Sequence, residues 1–240
     1  MQRKSDLGGL RVAVTGGTSG LGLALVRLLA SRGARVAFVA RTAPAVEDTA
    51  RRTGAYGIIG DVGCKDDIFP IALQITGNLG GLDVLINNAS SLGPVPMAPL
   101  ADTDCEELEQ ALAVNLLGPF RLTKALFGSL AKSANEGTGA LVINITSDAA
   151  VNAYPGWGAY GASKAALGHL TAIWAEEAKA DGVRFRAIDP GDMDTPLHAL
   201  AMPDADPAKL KRPEESAAEI IQTMRDALPC LTAHSARLTA

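Results

Sequence analysis

Tyr160 and Lys164 are four residues apart, and Ser147 lies thirteen residues before Tyr160. If residues 158–180 form a helix, this spacing places the phenol and the ammonium on one face, close enough to interact. A free phenol has a pKa of about 10, and an ammonium about 4 Å away at an effective dielectric of about 20 lowers it by roughly three units. The pair is therefore predicted to transfer protons near neutral pH, with Tyr160 as general acid/base.

A glycine-rich turn near the start of the chain has the sequence TGGTSGLG at residues 15–22. It follows a predicted strand and opens a predicted helix, so the backbone at Gly16, Gly20 and Gly22 can approach a pyrophosphate that the helix N-terminus stabilises. Together with the Tyr–Lys pair, this turn indicates hydride transfer with a dinucleotide. Taken alone, such glycines also form plain tight turns, and that alternative stays open.

Strand-like runs rich in β-branched residues alternate with helical patterns along the chain. Strands are predicted at 11–15, 35–40, 56–60, 82–87, 140–146 and 183–189, and helices at 21–32, 43–53, 66–78, within 102–132, at 158–180 and at 214–228. This alternation predicts a parallel sheet, and the nearly all-apolar strands indicate helices on both faces. The predicted fold is α/β, a Rossmann-type doubly wound sheet in a single domain over residues 1–240.

Five prolines between residues 190 and 213 predict a long irregular segment before the last helix. We expect this segment to form a substrate loop. The last six residues, 235–240, are predicted to form a short strand.

Composition limits the possible partners and location. The chain has 240 residues, a net charge of −4 and a pI near 5.4, without a run of basic residues, which argues against nucleic acid or an anionic membrane as partner. No apolar stretch reaches the roughly 18 residues of a membrane span, and residues 1–6 are charged and lack the apolar core of a secretion signal. We expect a cytoplasmic protein that acts on a small molecule.

The cysteines and histidines do not suggest a metal site or a disulfide. Cys64, Cys105 and Cys230 are odd in number, far apart and without CxxC spacing, so buried or incidental thiols are the simplest interpretation. His169 and His234 have no acidic or cysteine partners at ligand spacing, and no metal is expected.

These motifs resemble the short-chain dehydrogenase/reductase family over roughly residues 10–195. The turn at residues 15–22 is similar to the family's TGxxxGxG motif, and Ser147, Tyr160 and Lys164 are similar to its Ser…Tyr-x-x-x-Lys set. The resemblance implies that Ser147 hydrogen-bonds the substrate oxygen and that Lys164 also binds the nicotinamide ribose. It further implies that Asn115 completes the catalytic set by orienting a water that links Lys164 to solvent.

The end of the second strand bears on the choice of cofactor. Arg41 and Thr42 stand where an acidic residue would bind a free ribose hydroxyl, and the next acid downstream is Glu47. An Arg–phosphate bond there contributes about 1.5–3 kcal/mol, so NADP(H) is favoured over NAD(H). A solvated surface arginine is the alternative interpretation.

Three further segments resemble cofactor-binding motifs of the family. They are an Asp-hydrophobic pair at 61–62, an NNAS turn at 87–90 with Ser90 in place of the usual glycine, and a PGxxxT segment at 190–195. An Asx turn is the alternative for the aspartate and the asparagines. The expected cofactor-binding residues are Thr15, Gly16, Thr18, Ser19, Gly20, Leu21, Gly22, Arg41, Thr42, Asp61, Val62, Asn88, Ala89, Tyr160, Lys164, Pro190, Gly191, Met193 and Thr195.

The substrate pocket is expected to be apolar. Its candidate polar and aromatic residues are Ser147, Tyr154, Trp157 and His198, although a lone loop histidine is more often a surface residue. Apolar candidates from the loop are Met193, Leu197, Leu200 and Met202. Three acidic residues lie near this pocket in the sequence: Asp148, Asp192 and Asp194. They could repel acidic substrates or attract cationic ones, and the alternative is that they simply face water.

The resemblance implies an NADP(H)-dependent oxidoreductase that interconverts a ketone or aldehyde and its alcohol on a small apolar molecule. Alternatives are a carbon–carbon double-bond reductase, a 3-oxoacyl-thioester reductase, and a non-catalytic cofactor-binding sensor or scaffold. The family also implies a homodimer or homotetramer, paired through the helices that hold Asn115 and Tyr160.

Overall fold

In the computed structural model, which describes residues 6–228, six strands form one parallel sheet. They are β1 (Arg11–Thr15), β2 (Arg35–Ala40), β3 (Tyr56–Ile59), β4 (Val84–Asn87), β5 (Ala140–Ile145) and β6 (Val183–Ile188). Their order across the sheet is β3-β2-β1-β4-β5-β6, and each neighbouring pair is parallel. This is the order of a doubly wound nucleotide-binding sheet, so the predicted fold class is confirmed.

Helices cover both faces of the sheet. In the described residues they are α1 (Gly20–Ser31), α2 (Ala43–Thr53), α3 (Ile68–Leu79), α4 (Cys105–Leu112), α5 (Gly118–Asn135), α6 (Gly158–Glu177), α7 (Pro196–Ala201) and α8 (Pro213–Ala227). Helices α1 and α8 pack on one face with inward residues such as Val14, while α3 and α5 pack on the other with Ala13. Successive residues of β1 thus face opposite cores, which explains why this strand is apolar throughout.

The long helix predicted within 102–132 is divided in the structure. A π-helical turn, Ala113–Leu117, separates α4 from α5. Pro119 has no N–H with which to bond the carbonyl of Asn115 in an α-helix, and the π turn lies at this place. The prediction of a single α-helix was therefore wrong, although helical backbone runs through the whole segment.

The segment at 190–213 is more ordered than expected. It contains α7 and a 3-10 turn, Pro207–Lys209, and a bridge joins Met193 to Lys211. Thr195 Oγ1 accepts a hydrogen bond from the backbone N–H of His198 at 3.2 Å and so caps α7, whose first residue is Pro196. Thr-Pro is a helix-start signal, and the prediction of an irregular loop missed it because the prolines were interpreted only as breakers.

Some predicted features lie outside the described residues 6–228. They are the charged N-terminal residues 1–5, Cys230, His234 and the strand predicted at 235–240. Cys64 and Cys105 are exposed rather than buried. Between residues 6 and 228, no helix combines the length and the apolar character that crossing a bilayer requires.

Candidate active site

A cleft of about 660 Å³ lies at the carboxyl ends of the strands. It spans the place between β1 and β4 where the strand order reverses, which is where doubly wound sheets bind ligands. Residues that follow each of the six strands line it, and these include Gly16, Arg41, Gly60, Asn88, Thr146 and Asp189.

The glycine turn forms a close-packed cradle at one side of the cleft. Gly16 and Gly20 have φ values of 71° and 48°, in the region that favours glycine. A Cβ on Gly22 would lie 2.0 Å from the carbonyl oxygen of Gly16, and one on Gly20 would lie 3.1 Å from the Thr195 methyl. Side chains are therefore excluded, and backbone at the start of α1 is open to a phosphate group, which fits a dinucleotide.

Thr15 supports this cradle from below and does not line the cleft. Its buried hydroxyl accepts hydrogen bonds from the backbone N–H groups of Asn88 and Ala89, each at 3.0 Å, and the Asn88 amide donates to the Thr15 carbonyl at 2.9 Å. These bonds tie the end of β1 to the end of β4. Thr15, which the sequence predicted to bind the cofactor, therefore lies beneath the cradle and holds its backbone in place.

Arg41 reaches toward solvent at the far end of the cleft, where 71% of its side chain is exposed. The sequence shows no acid nearby along the chain, but the fold places the Asp61 carboxylate 4.0 Å from the Arg41 guanidinium. Asp61 also accepts a hydrogen bond from the backbone N–H of Gly63 at 2.8 Å, as in an Asx turn. Arg41 therefore has an anionic partner that a 2′-phosphate would have to share.

Ser147, Tyr160 and Lys164 line the same cleft as the glycine turn. Ser147 follows β5, while Tyr160 and Lys164 lie one turn apart in α6 and are both buried. Lys164 Nζ donates a hydrogen bond to the carbonyl of Ile145 at 2.8 Å and lies 5.5 Å from the centroid of the Tyr160 ring. The predicted residues are thus brought together.

The electrostatics of the pair differ from the expectation. Burial lowers the pKa of Lys164 to about 7. The pKa of Tyr160 is raised rather than lowered, chiefly by burial, and the hydroxyls of Ser147 and Ser90 only partly oppose this effect. The expected lowering by an ammonium was wrong for the protein alone, because desolvation of the buried phenol has the largest effect on its pKa.

Asn115 is completely buried and does not line the cleft. Its amide nitrogen donates to the Ser91 carbonyl at 2.7 Å and to Ser163 Oγ at 2.8 Å, and its oxygen accepts from the N–H of Ser91 at 2.8 Å and from Ser90 Oγ at 3.2 Å. Both amide hydrogens and both lone pairs of the oxygen are used. A water held by Asn115 would therefore have to bind its main-chain carbonyl.

The substrate end is mixed in character rather than purely apolar. Trp157 and His198 line it. Tyr154 does not line the cleft, and its hydroxyl donates a hydrogen bond to Asp148 Oδ2 at 2.7 Å. Of the predicted apolar residues, Met193, Leu197 and Leu200 line the cleft and Met202 does not. Of the three acids, Asp148 and Asp192 line it and Asp194 does not.

Several lining residues were not predicted as site residues. Ser90 and Ser91 follow the NNA run, whose position after β4 was a usable signal. Ser90 stands where the family has glycine, yet within residues 6–228 no residue other than glycine has a positive φ, so the turn holds serine without strain. Leu92 packs with Ala149 and Tyr160, and nothing local in the sequence marks it.

Comparison with known proteins agrees with this geometry. The sequence profile of the short chain dehydrogenase family matches residues 11–206. The chain is 35% identical over 194 residues to 2-(R)-hydroxypropyl-CoM dehydrogenase of Xanthobacter autotrophicus, covering 78% of this chain and 76% of that protein.

Two solved structures show the same likeness. A short chain dehydrogenase from Shigella flexneri complexed with NADP has a TM-score of 0.79 and 28% identity, covering 88% of this chain and 90% of its own. The 3-ketoacyl-(acyl-carrier-protein) reductase from Brucella melitensis complexed with NADH has a TM-score of 0.83 and 25% identity, covering 90% of each chain. By its fold, its site and its sequence, the chain belongs to the short chain dehydrogenase family of nicotinamide-dependent oxidoreductases.

Proposed function

We propose that the protein is an NADP(H)-dependent oxidoreductase that interconverts a small ketone or aldehyde and its alcohol. The observation that carries this proposal is the placement of Ser147, Tyr160 and Lys164 along one cleft with the glycine turn. A proton donor and a phosphate cradle in one cleft are what hydride transfer to a carbonyl requires.

Tyr160 acts as the acid in carbonyl reduction. Its raised pKa keeps the phenol protonated at neutral pH, so it can give a proton to the carbonyl oxygen. When bound, a nicotinamide cofactor supplies the hydride that the carbonyl carbon receives. The alcohol thus gains one hydride on carbon and one proton on oxygen, and Tyr160 regains its proton from solvent.

Ser147 hydrogen-bonds the substrate oxygen and stabilises the charge that develops there. Its hydroxyl donates to Asp148 Oδ1 at 3.1 Å and accepts from the N–H of Ala149 at 3.2 Å, so it must turn from Asp148 to donate to a substrate. Lys164 binds the nicotinamide ribose, in keeping with its position at the back of the cleft.

The preference for NADP(H) rests on Arg41. Its guanidinium is exposed and could pair with a 2′-phosphate, a pairing for which the carboxylate of Asp61, 4.0 Å away, competes. The two solved relatives described above hold NADP and NADH, respectively. Cofactor choice is therefore a property of this chain's own residues.

The test is NADPH consumption by the purified protein across ketones, aldehydes, quinones, enones and 3-oxoacyl thioesters, with Tyr160→Phe run in parallel. We expect turnover of a ketone or aldehyde that disappears in the variant while NADPH binding stays nearly unchanged. Turnover that persists in Tyr160→Phe would refute the role of the phenol. Tight NADPH binding without turnover of any compound would favour a non-catalytic sensor instead.

We also propose a homodimer or homotetramer that pairs through the helices holding Asn115 and Tyr160. Leu117 and Ile173 on these helices are 37% and 42% exposed, which leaves apolar surface for a second copy. Sedimentation of the purified protein would measure the stoichiometry.

A further inference from the structure

The substrate end of the cleft carries more acidic than basic groups. Asp148, Asp189 and Asp192 line it, and among the described lining residues at this end only Lys164 and His198 are basic. Lys164 is buried behind Tyr160 with a pKa lowered to about 7, so it is only partly charged at neutral pH. His198 lies 3.8 Å from Asp192 and offsets that carboxylate only where protonated. The net charge offered to a substrate is therefore negative.

Asp148 is the acid that the fold fixes next to the reacting groups. It directly follows Ser147, whose hydroxyl donates to Oδ1 at 3.1 Å, and the Tyr154 hydroxyl donates to Oδ2 at 2.7 Å. Two donors hold the carboxylate in place, and further lone pairs on its oxygens stay available. The hydrogen bond from Tyr154 holds the pKa of Asp148 below its usual value, so the group is ionised at neutral pH.

The charge of Asp148 acts on the reacting phenol. After burial, which is the largest cause, the negative charges of Asp189 and Asp148 also raise the pKa of Tyr160. A cation bound beside Asp148 would oppose this effect and make the phenol a better proton donor, whereas an anion would add to it.

An aromatic row borders the same place. The rings of Tyr154 and Trp157 are 6.1 Å apart and those of Trp157 and Tyr160 are 5.8 Å apart, each pair edge to face. Trp157 lines the cleft together with the apolar side chains of Leu92 and Leu197. Aromatic faces attract cations, and alkyl groups on a cation pack well on apolar walls. A carboxylate beside an aromatic row suits an alkylated ammonium better than a purely apolar group, which would leave Asp148 desolvated without a partner.

We propose that Asp148 determines specificity and that the preferred substrate is a small ketone or aldehyde with an alkylated ammonium group close to its carbonyl. This inference rests on the proposed carbonyl reductase function and leaves its chemistry unchanged, with hydride added to the carbonyl carbon and the proton given by Tyr160. Ammonium methyl groups contact Trp157, and the cation pairs with the Asp148 carboxylate. Asp189 and Asp192 add to the attraction.

The experiment compares three ketones that differ only in a tetrahedral head group next to the acetonyl unit: trimethylammonium, tert-butyl and sulfonate. The ratio of kcat/KM for the cation to that for the neutral ketone is measured for the wild type and for Asp148→Asn. Because each ketone's intrinsic reactivity is the same for both proteins, the change in this ratio reports on recognition alone. We expect Asp148→Asn to lower the ratio about five- to tenfold and to raise relative turnover of the sulfonate.

Two variants serve as controls. Asp148→Glu keeps the charge and should keep the preference for the cation, and Asp181→Asn, an exposed acid away from the cleft, should leave all ratios unchanged. If Asp148→Asn does not fold, as judged by circular dichroism, Asp192→Asn removes another negative charge from the same end of the cleft. It should lower the cation-to-neutral ratio of kcat/KM to a smaller extent.

The outcomes separate this proposal from the proposed function. Turnover of all three ketones with ratios that neither Asp148→Asn nor Asp192→Asn changes would overturn the role of Asp148 and leave the reductase function intact. Calorimetric binding of the trimethylammonium ketone that Asp148→Asn weakens, without turnover of these three ketones or of any compound in the wider panel, would support cation recognition and refute the reductase function. Neither binding of the trimethylammonium ketone nor turnover of any of these compounds would overturn both.

Discussion

Lys164 Nζ lies over the ring of Tyr160, 5.5 Å from its centroid. Its hydrogen bond goes to the main-chain carbonyl of Ile145, and its side chain is completely buried. The folded protein therefore holds the ammonium proton of Lys164 weakly, because no carboxylate among residues 6–228 pairs with it to compensate for its desolvation.

Replacing Lys164 with Met should change how stability depends on pH. The folded-state pKa of about 7 lies below the usual 10.5, so between these values the unfolded chain binds a proton that the folded chain has released. Wild-type stability therefore gains a contribution that rises with pH above about 7, approaching roughly 1.4 kcal/mol per pH unit. Lys164→Met lacks this contribution. The free energy of unfolding of the variant minus that of the wild type should therefore be highest near pH 6 and decrease toward pH 9.

Urea unfolding at pH 6, 7.5 and 9 measures this difference. Lys132→Met is the matched control, since Lys132 is 76% exposed and its removal should give no such trend. A difference for Lys164→Met that is independent of pH would show that Lys164 has the same pKa in both states.

Ser90→Ala should move the pH profile of the reaction. The Ser90 hydroxyl lowers the pKa of Tyr160, so its loss should raise that pKa further. In alcohol oxidation, which needs the deprotonated phenol, the rising limb of kcat/KM should shift to higher pH. Ser31→Ala, an exposed serine of α1, should leave the limb in place. An unshifted limb in Ser90→Ala would mean that the hydroxyl does not act on Tyr160.

Arg41→Asp should reverse or abolish the proposed preference for NADPH. The change removes the cation proposed to pair with the 2′-phosphate and adds a repelling charge beside Asp61, so the NADPH/NADH ratio of kcat/KM should fall about ten- to a hundredfold. Arg27→Asp, an exposed change on α1 away from the cleft, should have little effect. An unchanged ratio in Arg41→Asp would remove the basis for assigning NADP(H).

Asp83→Asn should destabilise the fold without touching the cleft. The Asp83 carboxylate is buried, pairs with Arg11 at 2.6 Å and accepts hydrogen bonds from the Arg11 backbone N–H at 2.7 Å and from the Ser133 hydroxyl. Loss of its charge removes the carboxylate that pairs with the Arg11 guanidinium, which keeps its hydrogen bond to the Gly80 carbonyl at 3.1 Å, at a cost of about 3 kcal/mol or more. Denaturant unfolding should show this loss, and Asp48→Asn, whose pairs with Arg51 and Arg52 are exposed, should lose less than about 1 kcal/mol.

Local patterns in the sequence determined the elements and the main motifs. Alternating runs of β-branched and helix-forming residues predicted six strands and the helices between them, since the backbone's short-range sterics fix these periods. The spacing of Tyr160 and Lys164 and the glycines of residues 15–22 predicted, for the same reason, the Tyr–Lys pair on one helix face and the tight turn that opens α1. Where a local rule conflicted with the pattern, as at Pro119 and Thr195, element boundaries were missed.

Only the tertiary structure decided which distant groups meet and how strongly each is desolvated. Asp61 lies beside Arg41 because β2 and β3 are neighbours in the sheet, and no spacing along the chain reveals this. Packing between elements also decides three properties of the site. It raises the pKa of Tyr160 where the sequence predicted a lowering, uses all the side-chain hydrogen bonds of Asn115 within the protein, and fixes the position of Asp148. Charge interactions vary with distance and burial, and these are set by the assembled fold rather than by any single segment.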